Sequence, residues 1–422
     1  MHAKSLLGAS ALALSLAAGP VLAADTINVL VEAGGHSLQQ PIADQFTKDT
    51  GIKVNFVEVP YAGVYDKLSA ELAAGTSNYD VATIDVIWMA KFADFAEPLD
   101  SLFTDKLKAD LAPALLADSQ VKGKWVGMPE WANADILFYR KDLFSDPKQQ
   151  AAFKAKYGYE LAPPTNWKQF EDAAVFFTQD TNGDGKPDLY GTDVIGANPE
   201  EWMAEVLQAG SPGVVLDDKG NVIIDNAAHL KALQFYTDIL CKDHAAPEGA
   251  TQVDWGAAQN MFYQGQTAMM KFWAHAYRQT PADSVVAGKV GAAPMIAGDA
   301  GIAAIPGPWY NIVPSTSQHK DEAKKFIAYA FEHNALGIQA PLGLAASNAA
   351  YLSYEDKPGY EHFKPLLETL AAPATKGRPL VPQWQEIVDQ AVTPMLQQAL
   401  SCKADLPTLL KNAKTAIQGI LQ

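Results

Sequence analysis

The sequence predicts an α/β protein with a parallel sheet, and two observations support this prediction. Near the start, short apolar runs alternate with segments of helical periodicity in the order strand, helix, strand, helix, strand. That order is typical of a parallel sheet covered by helices. The chain has 422 residues, which is enough for two lobes with separate cores. We therefore expect a two-lobed α/β molecule.

The early part of the chain gives the clearest pattern. Leu38, Ile42 and Phe46 are spaced to share one face of a helix. Ligands of open α/β sheets bind outside the carboxyl ends of the strands, so the loops there are the places to look for a site. The predicted elements are a strand at 26–31, a loop at 32–37, a helix at 38–47, a strand at 51–59, a helix at 65–74 and a strand at 81–84 ending at Asp85.

The middle of the chain, from Asp142 to Ala304, is rich in helical patterns and is expected to form the second lobe. Residues 267–273 are predicted as a strand that brings Trp273 to a cleft. The chain then returns through 310–314, and an amphipathic helix is expected at 319–334.

Residues 1–23 have the composition of an export signal. Lys4 supplies the positive charge, residues 5–18 are apolar, and 21–23 fit the small-residue cleavage rule. Cleavage would release the mature chain into the periplasm, and a retained N-terminal anchor is the alternative. The formal charge of −16 argues against nucleic acid or an anionic membrane as a partner.

The chain has two cysteines, Cys241 and Cys402. Export to an oxidising compartment makes a disulfide between them plausible. Two buried free thiols are the alternative, because the sequence does not give their separation.

Several separated segments end an apolar run with an aromatic or carboxylate side chain. They are 84–93, 124–143, 270–276, 307–309 and 377–382. Their order resembles the extracellular solute-binding proteins of ABC transporters, specifically the carbohydrate branch that includes maltose- and trehalose-binding proteins. The resemblance covers nearly the whole chain after the export signal.

This resemblance implies a two-lobe periplasmic binding protein fold of type II with a three-segment hinge. We expect the crossings near Tyr139, Trp309 and Ala346. The implied division is a signal peptide at 1–23, the N-lobe at 24–139 and 310–346, and the C-lobe at 140–309 and 347–422.

The resemblance also implies the partners: a carbohydrate ligand and the permease subunits of an ABC importer in the inner membrane. The protein is expected to be a monomer, to close around its ligand and to catalyse nothing. No cofactor is expected. The residues implied as ligand contacts are Gly35, His36, Ser37, Tyr61, Asp85, Glu130, Trp131, Asn133, Trp202, Trp273, Trp309 and Arg378.

Two positions depart from the family's pattern. Asn133 stands where an Asp is common, and an amide can donate as well as accept. Pro308 replaces a Gly and removes one N–H beside Trp309. Arg378 could bridge two hydroxyls, hold an anionic substituent of a sugar, or form a lobe-stabilising ion pair.

A possible calcium loop follows the first C-lobe helix. Oxygen-bearing side chains stand at positions 1, 3, 5 and 9 of an EF-hand-like spacing, but Gly191 occupies the position of the bidentate acid. A tight Asx-type turn without metal is the alternative. The candidate ligands are Asp180, Asn182, Asp184 and Asp188.

Two other functions compete with sugar import. An exported glycoside hydrolase would need a pair of carboxylates, for which Asp85 and Glu130 are candidates. A binding protein of the same fold for a non-sugar solute is the other. The sequence contains no Walker A loop and no paired histidines with metal-ligand spacing.

Overall fold

The computed structural model describes residues 26–76 and 78–422. The predicted export signal at 1–23 lies outside the described residues. Within them, no helix is long and apolar enough to cross a membrane.

The N-lobe is built on a five-stranded sheet. Its strand order is β2-β1-β3-β12-β6, with β1 parallel to β2 and β3, and with β12 antiparallel to β3 and β6. These strands and the β4–β5 hairpin are β1 (Thr26–Glu32), β2 (Lys53–Val59), β3 (Val81–Asp85), β4 (Gln120–Val121), β5 (Lys124–Trp125), β6 (Met128–Trp131) and β12 (Trp309–Ile312).

The C-lobe has a smaller antiparallel sheet of three strands in the order β8-β7-β9. Its strands, with those of a second hairpin, are β7 (Asp135–Arg140), β8 (Met269–Trp273), β9 (Val290–Ala293), β10 (Ala297–Gly298) and β11 (Gly301–Ile302). The two sheets confirm the prediction of a two-lobed α/β protein.

Helices cover both sheets. The first half of the chain forms α1 (Ala33–Thr50), α2 (Tyr61–Ala74), α3 (Met89–Phe92), α4 (Asp105–Ala109), α5 (Pro113–Asp118), α6 (Lys141–Phe144), α7 (Pro147–Tyr157), α8 (Trp167–Phe177) and α9 (Glu200–Gln208). The second half forms α10 (Ala227–Cys241), α11 (Trp255–Tyr263), α12 (Ala276–Gln279), α13 (Lys320–Glu332), α14 (Asn348–Leu352), α15 (Phe363–Ala371), α16 (Trp384–Ile387), α17 (Thr393–Ala399) and α18 (Leu406–Ile420).

The first helix begins earlier than the sequence predicts. Because the Glu32 carboxylate accepts the backbone N–H groups of Gly34 and Gly35, at 3.0 and 2.8 Å, it caps the free amides of the first turn. The prediction of a loop at 32–37 is therefore wrong, and residues 33–37 belong to α1.

The chain passes between the sheets at three places that lie side by side. The first passage runs from Trp131 to Asp135, the second leads into β12, and the third follows Leu344. Backbone hydrogen bonds join them: the Ala132 N–H donates to the Ala345 carbonyl, and the Gly307 N–H to the Asn133 carbonyl, each at 2.8 Å.

The first passage differs from the predicted crossing near Tyr139. Tyr139 pairs with Met269 on β8 and Gly291 on β9, so it lies inside the C-lobe sheet. The apolar run at 128–140 forms two strands in different sheets, β6 and β7, divided at Ala132–Ala134. The other passages lead into β12 at Trp309 and into α14, which Ser347 caps.

Cys241 and Cys402 form a disulfide with their Cα atoms 5.4 Å apart, which confirms that prediction. Cys241 ends α10, and Cys402 lies between α17 and α18. Both helices after α16 pack against α10, so the bridge joins elements of the same lobe.

Reducing this disulfide should lower the melting temperature, because 161 residues separate the two cysteines and the cross-link restricts the unfolded chain. Loss of such a bridge typically costs about 2–5 kcal/mol. Thermal unfolding with and without a thiol reductant measures the effect. A Cys241→Ser, Cys402→Ser variant should melt at the lower temperature and ignore the reductant; equal melting of the oxidised and reduced native chain would contradict the expectation.

Candidate ligand-binding cleft

A cavity of roughly 620 Å³ lies where the three passages meet, between the two lobes. The N-lobe contributes side chains from the ends of β1, β3 and β6 and from the start of β12. The C-lobe contributes the end of β8, the starts of α9 and α11, and one face of α16 and α17. Strand ends from both sheets therefore border the same cavity.

The N-lobe wall of the cavity is aromatic. Trp309 pairs with Trp131 across β12 and β6, and this register stacks their indole rings at 5.2 Å with planes 23° apart. The ring of Tyr61 approaches the edge of Trp309 at 5.7 Å. An indole plane is suited to the apolar C–H face of a ring or polyol ligand.

The C-lobe wall carries a second aromatic pair. Trp273 ends β8, and Trp255 begins α11 with its ring nearly perpendicular, at 5.8 Å and 79°. Gly307 of the second passage lies against this pair, because a Cβ there would come within 2.7 Å of the Trp273 ring. The passage can run beside the indole only if this position is glycine.

Asp85 lies at the carboxyl end of β3, and each of its carboxylate oxygens accepts a hydrogen bond from within the protein. Its Oδ1 accepts the Ile87 N–H at 3.2 Å and caps the following turn, while Oδ2 accepts the Tyr61 hydroxyl at 3.0 Å. Asp85 therefore caps a turn and lines the cavity at the same time.

Arg378 connects the two lobes at the floor of the cavity. Its guanidinium lies 3.8 Å from Asp85 Oδ1 on the N-lobe and 3.6 Å from Glu200 Oε1 on α9 of the C-lobe. It also donates to the Pro306 carbonyl at 3.3 Å. Its side chain is 6% exposed, so these contacts are well shielded from water.

Asn133 contacts His275 across the cavity. Burial lowers the pKa of His275 to about 4, so the ring is neutral at physiological pH. The Asn133 amide nitrogen donates to His275 Nδ1 at 2.7 Å, and the Ala134 N–H donates to the Asn133 oxygen. A carboxylate at this position could not donate to that nitrogen, which explains why an amide suits this site.

The structure brings together part of the predicted set. Tyr61, Asp85, Trp131, Asn133, Trp273, Trp309 and Arg378 all line the cavity. Gly35, His36, Ser37, Glu130 and Trp202 do not line it.

The first three of these belong to the opening turns of α1. A Cβ at Gly35 would overlap the Trp131 indole, so Gly35 supports the wall from behind. His36 contacts Glu58 and Gln40, and the Ser37 hydroxyl donates to the Gly34 carbonyl. Because α1 starts at Ala33, these three residues lie within the helix and do not border the cavity. Glu32, just before the helix, lines the cavity instead.

Trp202 and Glu130 are buried in the lobes. Trp202 is fully enclosed in the C-lobe core, where its ring lies 6.0 Å from that of His229. Glu130 is equally enclosed behind the N-lobe sheet and accepts a hydrogen bond from the Asn311 amide. The carboxylate pair of the hydrolase hypothesis, Asp85 with Glu130, is therefore not assembled around the cavity.

Sequence reasoning missed several lining residues. Glu32 ends β1 and Glu200 begins α9, so the rules for strand ends and helix starts could have indicated both. Trp255, His275 and Trp384 carry no comparable signal, since their position depends on how distant helices pack. The missed polar and aromatic residues are Glu32, Asn198, Glu200, Trp255, His275, Trp384, Gln385, Asp389, Thr393 and Gln397.

In the acidic loop after α8, the acidic and amide side chains accept hydrogen bonds from the loop's own backbone N–H groups. Asp180 accepts the N–H groups of Gly183 and Gly185 at 2.6 and 2.8 Å, and the other predicted ligands, Asn182, Asp184 and Asp188, likewise accept hydrogen bonds within the loop. Among residues 26–76 and 78–422, no group of three or more acidic, His or Cys side chains is arranged to hold a metal. Asx turns account for the spacing.

A cluster of buried acids lies behind the C-lobe wall. Lys271 contacts Glu205 and lies 3.9 Å from Glu201, while Asp135 and Asp193 share the same interior. Burial raises the pKa of Asp135 to about 8 and that of Glu205 to about 7. Of these carboxyls, Asp135 therefore favours retaining its proton at neutral pH.

A cavity enclosed by two lobes that touch through three adjacent passages defines a hinged binding protein rather than a fixed-pocket one. The chain matches the model of the family described as bacterial extracellular solute-binding protein over residues 30–335. It belongs to that family.

Individual relatives agree with this placement. A probable ABC transporter-binding protein of Deinococcus radiodurans is 30% identical over 298 residues, which cover 68% of this chain and 67% of the relative. The mannitol-binding protein of Pseudomonas aeruginosa is 26% identical over 275 residues, or 63% of this chain and 58% of that one. The structure of maltose-bound MalE3 from T. maritima matches with a TM-score of 0.74 at 25% identity and covers 94% of this chain and 100% of that chain.

Raised carboxyl pKa values should make the protein less stable as the pH rises above 6.5. Burial raises the pKa of Glu130 and Asp135 to about 8, whereas unfolded carboxyls titrate near ~4. The folded state then holds protons that the unfolded state lacks, so stability declines through the folded pKa, by about 1.4 kcal/mol per unit for each retained proton. Unfolded histidines have a pKa of ~6.5, whereas burial keeps His229, His275 and His362 neutral in the folded protein, so these residues oppose the trend near pH 6.5 and cease to do so by about pH 8.

Urea unfolding between pH 6.5 and 8.5 measures this slope. A Glu130→Gln variant keeps the shape of the side chain but cannot ionise, so its slope should be shallower than that of the native chain. Equal slopes in the native chain and the Glu130→Gln variant would show that Glu130 is already ionised in the folded protein.

Proposed function

We propose that this protein binds a carbohydrate between its lobes and delivers it to the permease of an ABC importer. The observation that carries the proposal is the pairing of aromatic walls from opposite lobes around one cavity. Trp131 and Trp309 face it from the N-lobe, and Trp255 and Trp273 from the C-lobe. Between them lie carboxylate, amide and imidazole groups that can exchange hydrogen bonds with hydroxyls.

This arrangement suits a sugar or polyol better than a wholly apolar or an inorganic ligand. Each indole can cover C–H groups, while Asp85 and Asn133 are placed beside the indoles at the strand ends. The relatives point the same way, since they include a mannitol-binding protein, an arabinooligosaccharide-binding protein and a maltose-bound structure.

Closure of the lobes supplies the mechanism. Because the two aromatic walls belong to different lobes, a ligand that touches both stabilises the closed arrangement more than the open one. The three passages are short and hydrogen-bonded to one another, so they can act as a hinge while each lobe moves as a unit. The permease would then select the closed, loaded form.

The proposed place of action is the periplasm, and the proposed working form is a monomer. The family description as extracellular supports an exported protein. Docking on the permease requires no catalytic residue, so we propose that the bound sugar leaves chemically unchanged.

A thermal-shift screen tests the carbohydrate assignment directly. Mature protein should melt at a higher temperature with its sugar at millimolar concentration, because the ligand binds only the folded state. The panel comprises neutral sugars, polyols, amino sugars, sugar acids and a set of amino acids and polyamines, with calorimetry on each hit. Stabilisation by amines or amino acids alone, with none by any carbohydrate, would overturn the proposal.

Replacing Trp273 by Ala should weaken binding of the identified sugar by roughly tenfold or more, because a buried aromatic anchor is lost from one wall. Isothermal titration calorimetry measures the dissociation constant. Trp167→Ala is the matched control: Trp167 stacks on Phe235 at 4.3 Å, is half-buried and does not line the cavity. The control should lose stability but keep its affinity; an unchanged affinity in Trp273→Ala would assign that indole to the core.

A further inference from the structure

The cavity wall carries more negative than positive charge. Four acidic side chains line it, those of Glu32, Asp85, Glu200 and Asp389. Arg378 is the one Arg or Lys among the described lining residues. The imidazole of His275 is neutral because burial lowers its pKa to about 4. The whole chain has a formal charge of −16, so the long-range field also favours cations at this cavity.

Arg378 does not reverse this balance, because its charge is already used. The guanidinium lies between Asp85 and Glu200, at 3.8 and 3.6 Å, and donates to the Pro306 carbonyl. One guanidinium faces two carboxyl groups; burial raises the pKa of Glu200 and the nearby Arg378 opposes that rise, so the group has no excess of positive charge. An anionic substituent on a ligand would have to displace these partners and would face the carboxylates themselves.

Glu200 has an oxygen with no partner. Its side chain is 9% exposed, its Oε1 faces Arg378, and its Oε2 accepts no hydrogen bond. An enclosed carboxylate oxygen without a donor is costly, and a charged donor stabilises it more than a neutral one. Glu200 lines the cavity, so a ligand donor that reaches this oxygen would complete its hydrogen bonds.

The aromatic walls favour the same kind of group. A protonated amine placed over the face of a Trp or Tyr ring is attracted by the ring's quadrupole, and this attraction grows when the amine is desolvated. Tyr61 and Trp309 stand next to Asp85, so the cavity offers a carboxylate and aromatic faces at one place.

We infer that the ligand is a carbohydrate bearing a protonated amine, and that the Asp85–Arg378–Glu200 group selects it over neutral sugars and excludes sugar acids. The inference rests on the proposed function, which it makes more specific. The remaining hydroxyls would be bound by Asn133, His275 and Glu32, and the ring would lie between the two aromatic walls.

Matched triplets test this inference. Each triplet is a neutral sugar, its 2-amino form and its uronic acid: glucose with glucosamine and glucuronate, and the galactose and mannose counterparts. In calorimetry near neutral pH, the amine of the bound triplet should be held about tenfold or more tighter than its neutral parent, and the uronate should not bind measurably.

Charge-neutral variants locate the selector. Glu200→Gln keeps the shape of the side chain and frees Arg378 from one partner, so the preference for the amine should fall to within about threefold and uronate binding should strengthen. The control is Glu386→Gln, which removes the same charge from an exposed position on α16 outside the cavity lining. Its preference should match that of the native chain, and thermal unfolding verifies that both variants are folded.

The outcomes distinguish a failure of this inference from a failure of the proposed carbohydrate-binding function. Equal binding of a neutral sugar and its amine, or tighter binding of a uronate, overturns the inference while the carbohydrate proposal stands. An amine preference that survives in Glu200→Gln also overturns the assignment of the selector. Absence of binding by all three triplets, together with silence of the wider carbohydrate panel, removes both.

Discussion

The backbone hydrogen bonds that join the three passages between the lobes determine the arrangement of the lobes and of the cavity between them. The Ala132 amide is bonded to the Ala345 carbonyl, and the Gly307 amide to the Asn133 carbonyl, so segments far apart in sequence form one narrow bundle. Asn133 and Gly307 also line the cavity. The hinge and the cavity floor are therefore made of the same backbone, and any motion of the lobes changes the shape of the cavity.

The residues that could be predicted from the sequence are those whose neighbours along the chain fix their position. Asp85 and Trp273 end apolar runs, and a strand end points at the cleft whatever the rest of the fold does. The same reasoning failed at His36, because the Glu32 carboxylate starts α1 within the expected loop. A single capping side chain thus moved the predicted contacts from the cavity to the side of a helix.

Other features depend on contacts that no local pattern records. Arg378 contacts Asp85 and Glu200, which are far from it in the chain, so the sequence left a lobe-stabilising ion pair as one of several alternatives. Trp202 looked like a ligand contact by its place before a helix, yet α9 packs with its residues buried all round and takes the indole into the core. Burial decided between equally good local interpretations.

The position of β12 has a consequence for any attempt to divide this protein. This strand lies between β3 and β6 in the middle of the N-lobe sheet, although the segment before it and the chain after Ala346 belong to the C-lobe. The disulfide from Cys241 to Cys402 encloses that whole excursion. No single cut in the gene yields either lobe as a contiguous fragment, and a truncation before Trp309 would leave the larger sheet without its fourth strand. A separate lobe could be produced only by rejoining distant segments with new linkers.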